Sequence, residues 1–276
     1  MVSVVLLTRT ILVILSTCYT NGLELADLYP YGTQHGDTMM TGSSLSSTSL
    51  LAPIDNLVRL SEAGLMATRY SVIRFGYLEI VNNGNDKVFL NLLYRSSSDT
   101  SNTKIYGRTT AYPGLIQRAT DQINEAFPNT FCSTSPPTQL IIVTWIDFAK
   151  AGSNLGSNFQ AIIATNGSNT FGIALYVNVS ITSATTGISS NVNSHVVPAD
   201  PSFFPFGATV TNAPAMMLNS NIPGTYIFSL NHIPPPDPCT EPSPPDCSAV
   251  CKAKLLKMTC EALRINHENL PAPCHN

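Results

Sequence analysis

Charge is what this sequence has least of. Asp, Glu, Lys and Arg make up 11% of it, and 17 acidic against 14 basic residues leave a formal net charge of −3. So neutral a chain carries no basic footprint for nucleic acid and no acidic tail. Tryptophan is nearly missing, with Trp145 alone. After Leu15 no run is long and apolar enough to cross a bilayer, and the polar C-terminus lacks the hydrophobic tail of a lipid-anchor signal. The sequence contains no Gly-x-Ser-x-Gly elbow and no P-loop. His267-Glu268 has no second His at zinc-protease spacing, and no Asp-x-Asp suggests calcium. The remaining histidines, His35, His195, His232 and His275, are scattered. These gaps argue against hydrolytic, nucleotide and metal chemistry. No cofactor and no small-molecule substrate is expected.

What is present is β pattern. Leu140-Ile141-Ile142-Val143-Thr144-Trp145-Ile146 is apolar on both faces, which predicts a strand over Leu140–Phe148 covered on both sides. Phe159–Thr165 is predicted as a second strand and Asn166-Gly167-Ser168-Asn169 as a hairpin turn. From Thr170 to Ile181, Phe171, Ile173, Leu175, Val177, Val179 and Ile181 alternate with Thr170, Gly172, Ala174, Tyr176, Asn178 and Ser180. That period of two predicts a half-buried strand with one polar face. Asp147, beside the Trp, is compatible with an acid or base but has no evident partner carboxylate, and Asp at a strand end ordinarily caps a turn.

Val143-Thr144-Trp145, Phe159 to Gly167 and the strand through Tyr176 resemble the core of the nidogen-like (NIDO) domain, found in nidogens, tectorins and membrane mucins. The resemblance extends outward. Tyr29-Pro30-Tyr31-Gly32 with Gly36-Asp37 is similar to the family's opening motif, and Gly76 to Gly84 to its strand and turn. Ile105-Tyr106-Gly107-Arg108 is similar to its tyrosine-arginine strand, and Pro223 to Phe228 to its closing motif. Two departures stand out. Ser180-Ile181-Thr182 occupies the place of a family tryptophan, and Met39 to Ile73 matches poorly. The resemblance implies a non-enzymatic extracellular module that binds matrix or cell-surface proteins and acts in cell–matrix adhesion. It transfers no binding residues, because the matched motifs are core strands and turns. His35-Gly36-Asp37, a near miss to Arg-Gly-Asp, falls on the structural Gly-Asp of the opening motif.

The chain divides into residues 1–20, a secretory signal peptide; 27–230, the NIDO-like domain; 231–246, a Pro-rich linker; and 247–276, a Cys-rich tail. A membrane anchor is the alternative for the first segment, but Arg9 interrupts short apolar blocks. Gly42 to Ser49 reads as a loop, and Asp55 to Met66 has mixed spacing that assigns no element. Tyr77–Val81 and Val88–Tyr94 read as a hairpin. Pro113 to Phe127 reads as a helix. Leu115, Ile116, Ala119, Ile123, Ala126 and Phe127 form its apolar face, and Gln117, Arg118, Asp121, Gln122 and Glu125 face away. Val192 to Asn221, with Phe203-Phe204-Pro205-Phe206, reads as a loop whose aromatics cover the end of the sheet, the alternative being an exposed ligand patch. The tail looks helical from Cys247 to about Asn266.

Two sequons, Asn166-Gly167-Ser168 at the hairpin tip and Asn178-Val179-Ser180 on the following strand, are candidate glycosylation sites. Removal of the signal peptide leaves Cys132, Cys239, Cys247, Cys251, Cys260 and Cys274. Five of these lie from Cys239 onward, an odd number, so one must pair elsewhere. Cys132–Cys239 is the expected bridge, with three connectivities open for the other four. The rival is a buried Cys132 thiol and an interchain bridge that gives a disulfide-linked oligomer. Cys247 and Cys251 with His267 and His275 are compatible with zinc, but a secreted chain favours disulfides.

The fold class expected is mainly β (α+β): a sandwich-like sheet domain with one packed amphipathic helix and a short Cys-rich helical tail. The function expected is that of a secreted, extracellular adhesion protein of the matrix or cell surface. Two other classes remain open, a structural component of mucus, cuticle or mineralised matrix, and a secreted hydrolase with an unrecognised site.

Overall fold

The strand that carries Trp145 is apolar on both faces because a core lies on each side of it. The structure, a computed structural model, describes residues 22–41, 49–60, 65–84, 86–96, 102–149 and 155–231. The signal peptide, most of the Gly42–Ser49 loop, the linker and the tail with its five cysteines lie outside the described residues.

Numbered along the chain, the strands are β1 (Thr38–Thr41), β2 (Ser49–Leu60), β3 (Leu65–Ile73), β4 (Tyr77–Val81), β5 (Lys87–Tyr94), β6 (Lys104–Thr110), β7 (Gln139–Phe148), β8 (Ser157–Thr165), β9 (Thr170–Asn178), β10 (Thr185–Val192), β11 (His195–Asp200) and β12 (Thr225–Ser229). The helix α1 (Pro113–Ala126) joins β6 to β7. Two six-stranded sheets form, in the orders β1-β6-β7-β8-β9-β12 and β11-β10-β5-β4-β3-β2. Every pairing between these strands is antiparallel. The protein is thus a mostly β sandwich with one helix among the described residues.

Between the sheets lies the larger core, which includes Trp145, Phe159, Tyr176 and Tyr226 from the first sheet and Tyr70, Leu78, Ile80, Leu90 and Leu92 from the second. Trp145 is fully buried and stacks on Phe159 at 4.9 Å between ring centroids. Its indole N–H donates to the Ile73 carbonyl of the opposite sheet at 3.4 Å, and the Tyr176 hydroxyl donates to Leu92 O at 3.1 Å. Each ring therefore buries a large apolar area and satisfies its polar end on the partner sheet. The outer face of the first sheet carries a second core: Leu140, Ile142, Ile162, Phe171, Ile173 and Leu175 under Ala119 and Ile123 of α1, with Leu28 and Tyr29. The apolar face of the helix thus packs on its own sheet, and Pro113 stands in its first turn, where a missing N–H is harmless.

Three features differ from the expectation. β9 is buried on both faces and ends at Asn178, short of Ile181. Gly172, Ala174 and Tyr176, read as a polar face, are the inter-sheet face, and Gly172 is small because an added Cβ would lie 2.2 Å from the Phe228 ring. β2 and β3 were not foreseen. β2 is an edge strand with a register shift between Pro53 and Val58, which blurs its period, and Pro is tolerated at an edge. β11 arises inside the loop expected over Val192 to Asn221, paired with β10, a strand that the sequence reading did not assign. They turn at Asn193-Ser194, both at positive φ (50° and 63°), which is the geometry of a two-residue primed turn without its usual glycine. Beyond them Phe204 and Phe206 are buried against Tyr176 and Tyr226, so this aromatic cluster covers the sheet.

Candidate functional site

The outer face of the first sheet is organised by two residues that read a segment far back in the chain. Arg108, on β6, places Nη1 2.5 Å from Asp37 Oδ1 and donates from Nη2 to Pro30 O at 2.7 Å. Asp37 Oδ2 accepts the Gly32 N–H at 2.6 Å. Gly32 is at φ 108°, a conformation that glycine adopts cheaply. Gln160, on β8, brackets Tyr29: Oε1 accepts the Tyr29 N–H at 2.7 Å, and Nε2 donates to Tyr29 O at 2.9 Å and to Thr144 Oγ1 at 2.7 Å. The opening motif and the tyrosine-arginine strand therefore meet in space.

Tyr29 is fully buried. Its hydroxyl donates to Gln122 Oε1 at 2.6 Å, and the Arg118 guanidinium lies 4.1 Å from the ring centroid. Burial pushes the Tyr29 phenol well above its ordinary value, against the opposing effect of Arg118. Arg118 also donates to Leu28 O at 3.2 Å and to Asp27 O. Periodicity placed Arg118 and Gln122 on the outward face of α1. The N-terminal segment covers them, so both are half-buried.

Next to this cluster is a pocket of about 330 Å³. Leu23, Ala26, Leu175 and Ile222 supply its apolar lining, with Arg118, Gln122 and Thr225 as polar members. Thr225 is 1% exposed, and its Oγ1 has no hydrogen-bond partner among the described residues. Thr225 fell within the closing motif but with no role of its own, and nothing in the sequence singled out Ile222. They meet the helix only because β12 pairs with β9.

Of the residues weighed from sequence, Asn166 sits at the β8–β9 turn. Its Oδ1 accepts the N–H groups of Ser168 and Asn169 at 3.0 and 2.8 Å, and its Nδ2 donates to Ser135 Oγ at 2.9 Å. Asn178 ends β9, half-buried, with Nδ2 donating to Gly156 O at 2.6 Å. Cys132 is 7% exposed, with Sγ 3.1 Å from Thr134 Oγ1. Asp147 occupies an irregularity in the β7–β8 pairing at φ 55°, its N–H bound to Asn158 Oδ1 at 2.9 Å. His35 and His195 are exposed at separate places, and among the described residues no three His, Cys, Asp or Glu side chains gather as a metal site. No described helix is long and apolar enough to cross a membrane.

A buried inter-sheet aromatic core and an outer face clasped by an N-terminal segment define a β-sandwich module. The nidogen-like domain family matches residues 89–232, just over half of the chain, and the chain belongs to that family. Nidogen-1 of Rattus norvegicus is 31% identical over 80 residues, which cover 26% of this chain and 24% of that relative. The chain therefore matches only about a quarter of nidogen-1's length. No solved structure matches it significantly. Family membership fits an extracellular-matrix protein.

Proposed function

We propose that this is a secreted protein of the extracellular matrix or cell surface that acts in cell–matrix adhesion through protein–protein contacts, without catalysis. The observation that carries the reading is the nidogen-like domain match over 89–232. The similarity to nidogen-1 supports the same setting. So does the sequence, with an apolar leader over residues 1–20, sequons at Asn166 and Asn178, and a surface poor in charge. A sheet sandwich with a rigid core suits such a role, because it holds a surface in fixed shape and so lowers the ordering cost of binding.

The test uses the full chain secreted from a eukaryotic host. Saturable binding to decellularised matrix, and cell attachment to surfaces coated with the chain, are expected. A folded, monomeric chain that binds neither matrix nor cells overturns the reading. Recovery only as a self-associated polymer favours a structural component instead.

A further inference from the structure

Nine large apolar side chains are prominently exposed among the described residues, and four of them lie on two segments that approach each other. Met216 (42%), Met217 (43%) and Ile222 (46%) lie on the loop before β12, and Leu25 (45%) lies on the N-terminal segment beside it. The two segments touch. A Cβ at Gly22 would lie 3.2 Å from Pro214 O, and one at Gly224 would lie 3.3 Å from a Leu23 methyl. Leu23, Ala26 and Asp27 of one segment and Ile222 and Thr225 of the other line the same pocket, and the Thr225 hydroxyl has no partner among the described residues.

Carboxylates stand beside this apolar rim. Asp27 lines the pocket, and its carboxylate accepts the Glu24 N–H at 2.7 Å. Asp121 precedes Gln122 on the helix, and Glu125 accepts the Asn221 side-chain amide at 3.3 Å, next to Ile222. Arg118, the cation among the described residues that line the pocket, turns its guanidinium onto two backbone carbonyls and the Tyr29 ring. Asp27 at the pocket and Glu125 beside Ile222 thus flank an apolar lining that includes Thr225, whose buried hydroxyl has no partner among the described residues. Such a hydroxyl is costly to leave unpaired and gains from a carbonyl that reaches it.

Resting on the protein-binding reading above, we propose that this surface docks a basic protein segment. That segment places an aliphatic side chain in the pocket, sets flanking Lys or Arg against Asp27 and Glu125, and accepts a hydrogen bond from Thr225 with a backbone carbonyl. The apolar anchor supplies affinity, and the acidic rim supplies on-rate and selection against acidic partners.

The probe is a short synthetic peptide with a central Leu between paired Lys residues, titrated against the full secreted chain. Two control peptides replace the Leu by Ser or the Lys residues by Glu. The Lys-flanked peptide is expected to bind, to weaken at high salt, and to lose roughly tenfold or more with either replacement. Ile222→Asp and Leu25→Asp, both at exposed positions, are expected to abolish binding with an unchanged circular dichroism spectrum. Thr225→Val, which keeps the shape, is expected to weaken binding roughly threefold to tenfold. Failure of the Lys-flanked peptide to bind, equal binding of the Glu-flanked one, or full binding by Ile222→Asp overturns the proposal. Matrix binding retained by Ile222→Asp also overturns this surface while adhesion stands. Matrix binding absent in the unmodified chain overturns adhesion, and the peptide results then decide the surface alone.

Discussion

Arg108 and Asp37, 71 residues apart in sequence, form an ion pair 2.5 Å long whose side chains are only 8% and 1% exposed. Arg108 also holds Pro30 O, and Asp37 also holds the Gly32 N–H. The pair therefore fastens the N-terminal segment to β6, each partner making a further hydrogen bond to the backbone of that segment.

Removing one partner strands a buried charge. Arg108→Ala is expected to destabilise the protein by about 3–5 kcal/mol, and Asp37→Ala by a similar amount. The double substitution should cost less than the sum, since each single change already breaks the pair. Urea unfolding of the secreted chain measures all three. A loss under about 0.5 kcal/mol for Arg108→Ala, the range of ordinary surface changes, contradicts this account.

Tyrosine ionisation gives the alkaline limit of stability. Burial raises Tyr176 far above the ordinary phenol value and raises Tyr29 and Tyr226 strongly. Tyr77 is pushed up to about 12 by burial, then by Glu79 and Tyr94. In the unfolded chain these groups ionise near about pH 10, so above that pH the unfolded state binds fewer protons than the folded one. Stability is therefore expected to be insensitive to these groups below about pH 10 and to fall as pH climbs from there through the raised folded values. Unfolding curves across that range check the slope. Tyrosinate absorbance should show these residues ionising together with unfolding, not before it.

Asn166 and Asn178 are expected to carry glycans that an endoglycosidase removes. Asn166→Gln alone is a poor probe, because it also deletes the turn bonds to Ser168 and Asn169. Ser168→Ala destroys the same sequon and leaves those backbone bonds in place. Asn178→Gln would likewise disturb the bond to Gly156 O, so Ser180→Ala tests the second site. Each change should remove part of the mass shift; an unshifted parent chain shows that the sequons are unused.

Cys132 is expected to bridge to Cys239. Two residues after β12 ends at Ser229, Asn231 Nδ2 donates to Ser168 O in the β8–β9 turn at 3.0 Å. That turn is tied through Asn166 to Ser135, and the Ser135 N–H donates to Cys132 O at 3.0 Å. Cys239 follows Asn231 by eight residues, enough chain to span up to about 26–29 Å. Closing the loop should stabilise by about 2–4 kcal/mol. Peptide mapping without reduction should recover the Cys132–Cys239 pair. Alkylation of Cys132 in the unfolded, unreduced monomer rejects it, and a dimer that reduction dissolves favours an interchain bridge.

The strands around Trp145 were legible because local pattern dictates them. A run apolar on both faces has only one low-energy place, between two cores, and the Asn-Gly turn sets the next hairpin. The faces of β9 were misread because burial depends on what packs there: Ala174 and Gly172 look indifferent in sequence, yet small residues leave room for Phe228 and its neighbours. Arg118 and Gln122 were misplaced for a related reason. Helical periodicity knows the sheet beneath the helix, but not a segment 90 residues earlier in the chain that lies over its flank. Thr225 was invisible, since an unsatisfied hydroxyl is a property of its surroundings alone.

β1 and β12, the first and last described strands, are the two edges of one sheet. Between them the chain crosses to the other sheet and back twice, through β2–β5 and β10–β11. Most pairings of the first sheet close between neighbours along the chain, but its two borders depend on distant partners. Such non-local closure places assembly toward the slow end of two-state folding, roughly milliseconds to seconds. During synthesis, β9 keeps an open edge beside Tyr176 until Thr225–Ser229 emerges. A chain cut before Thr225 is thus not a smaller domain but an adhesive one, with backbone groups and aromatic rings offered to any neighbouring strand.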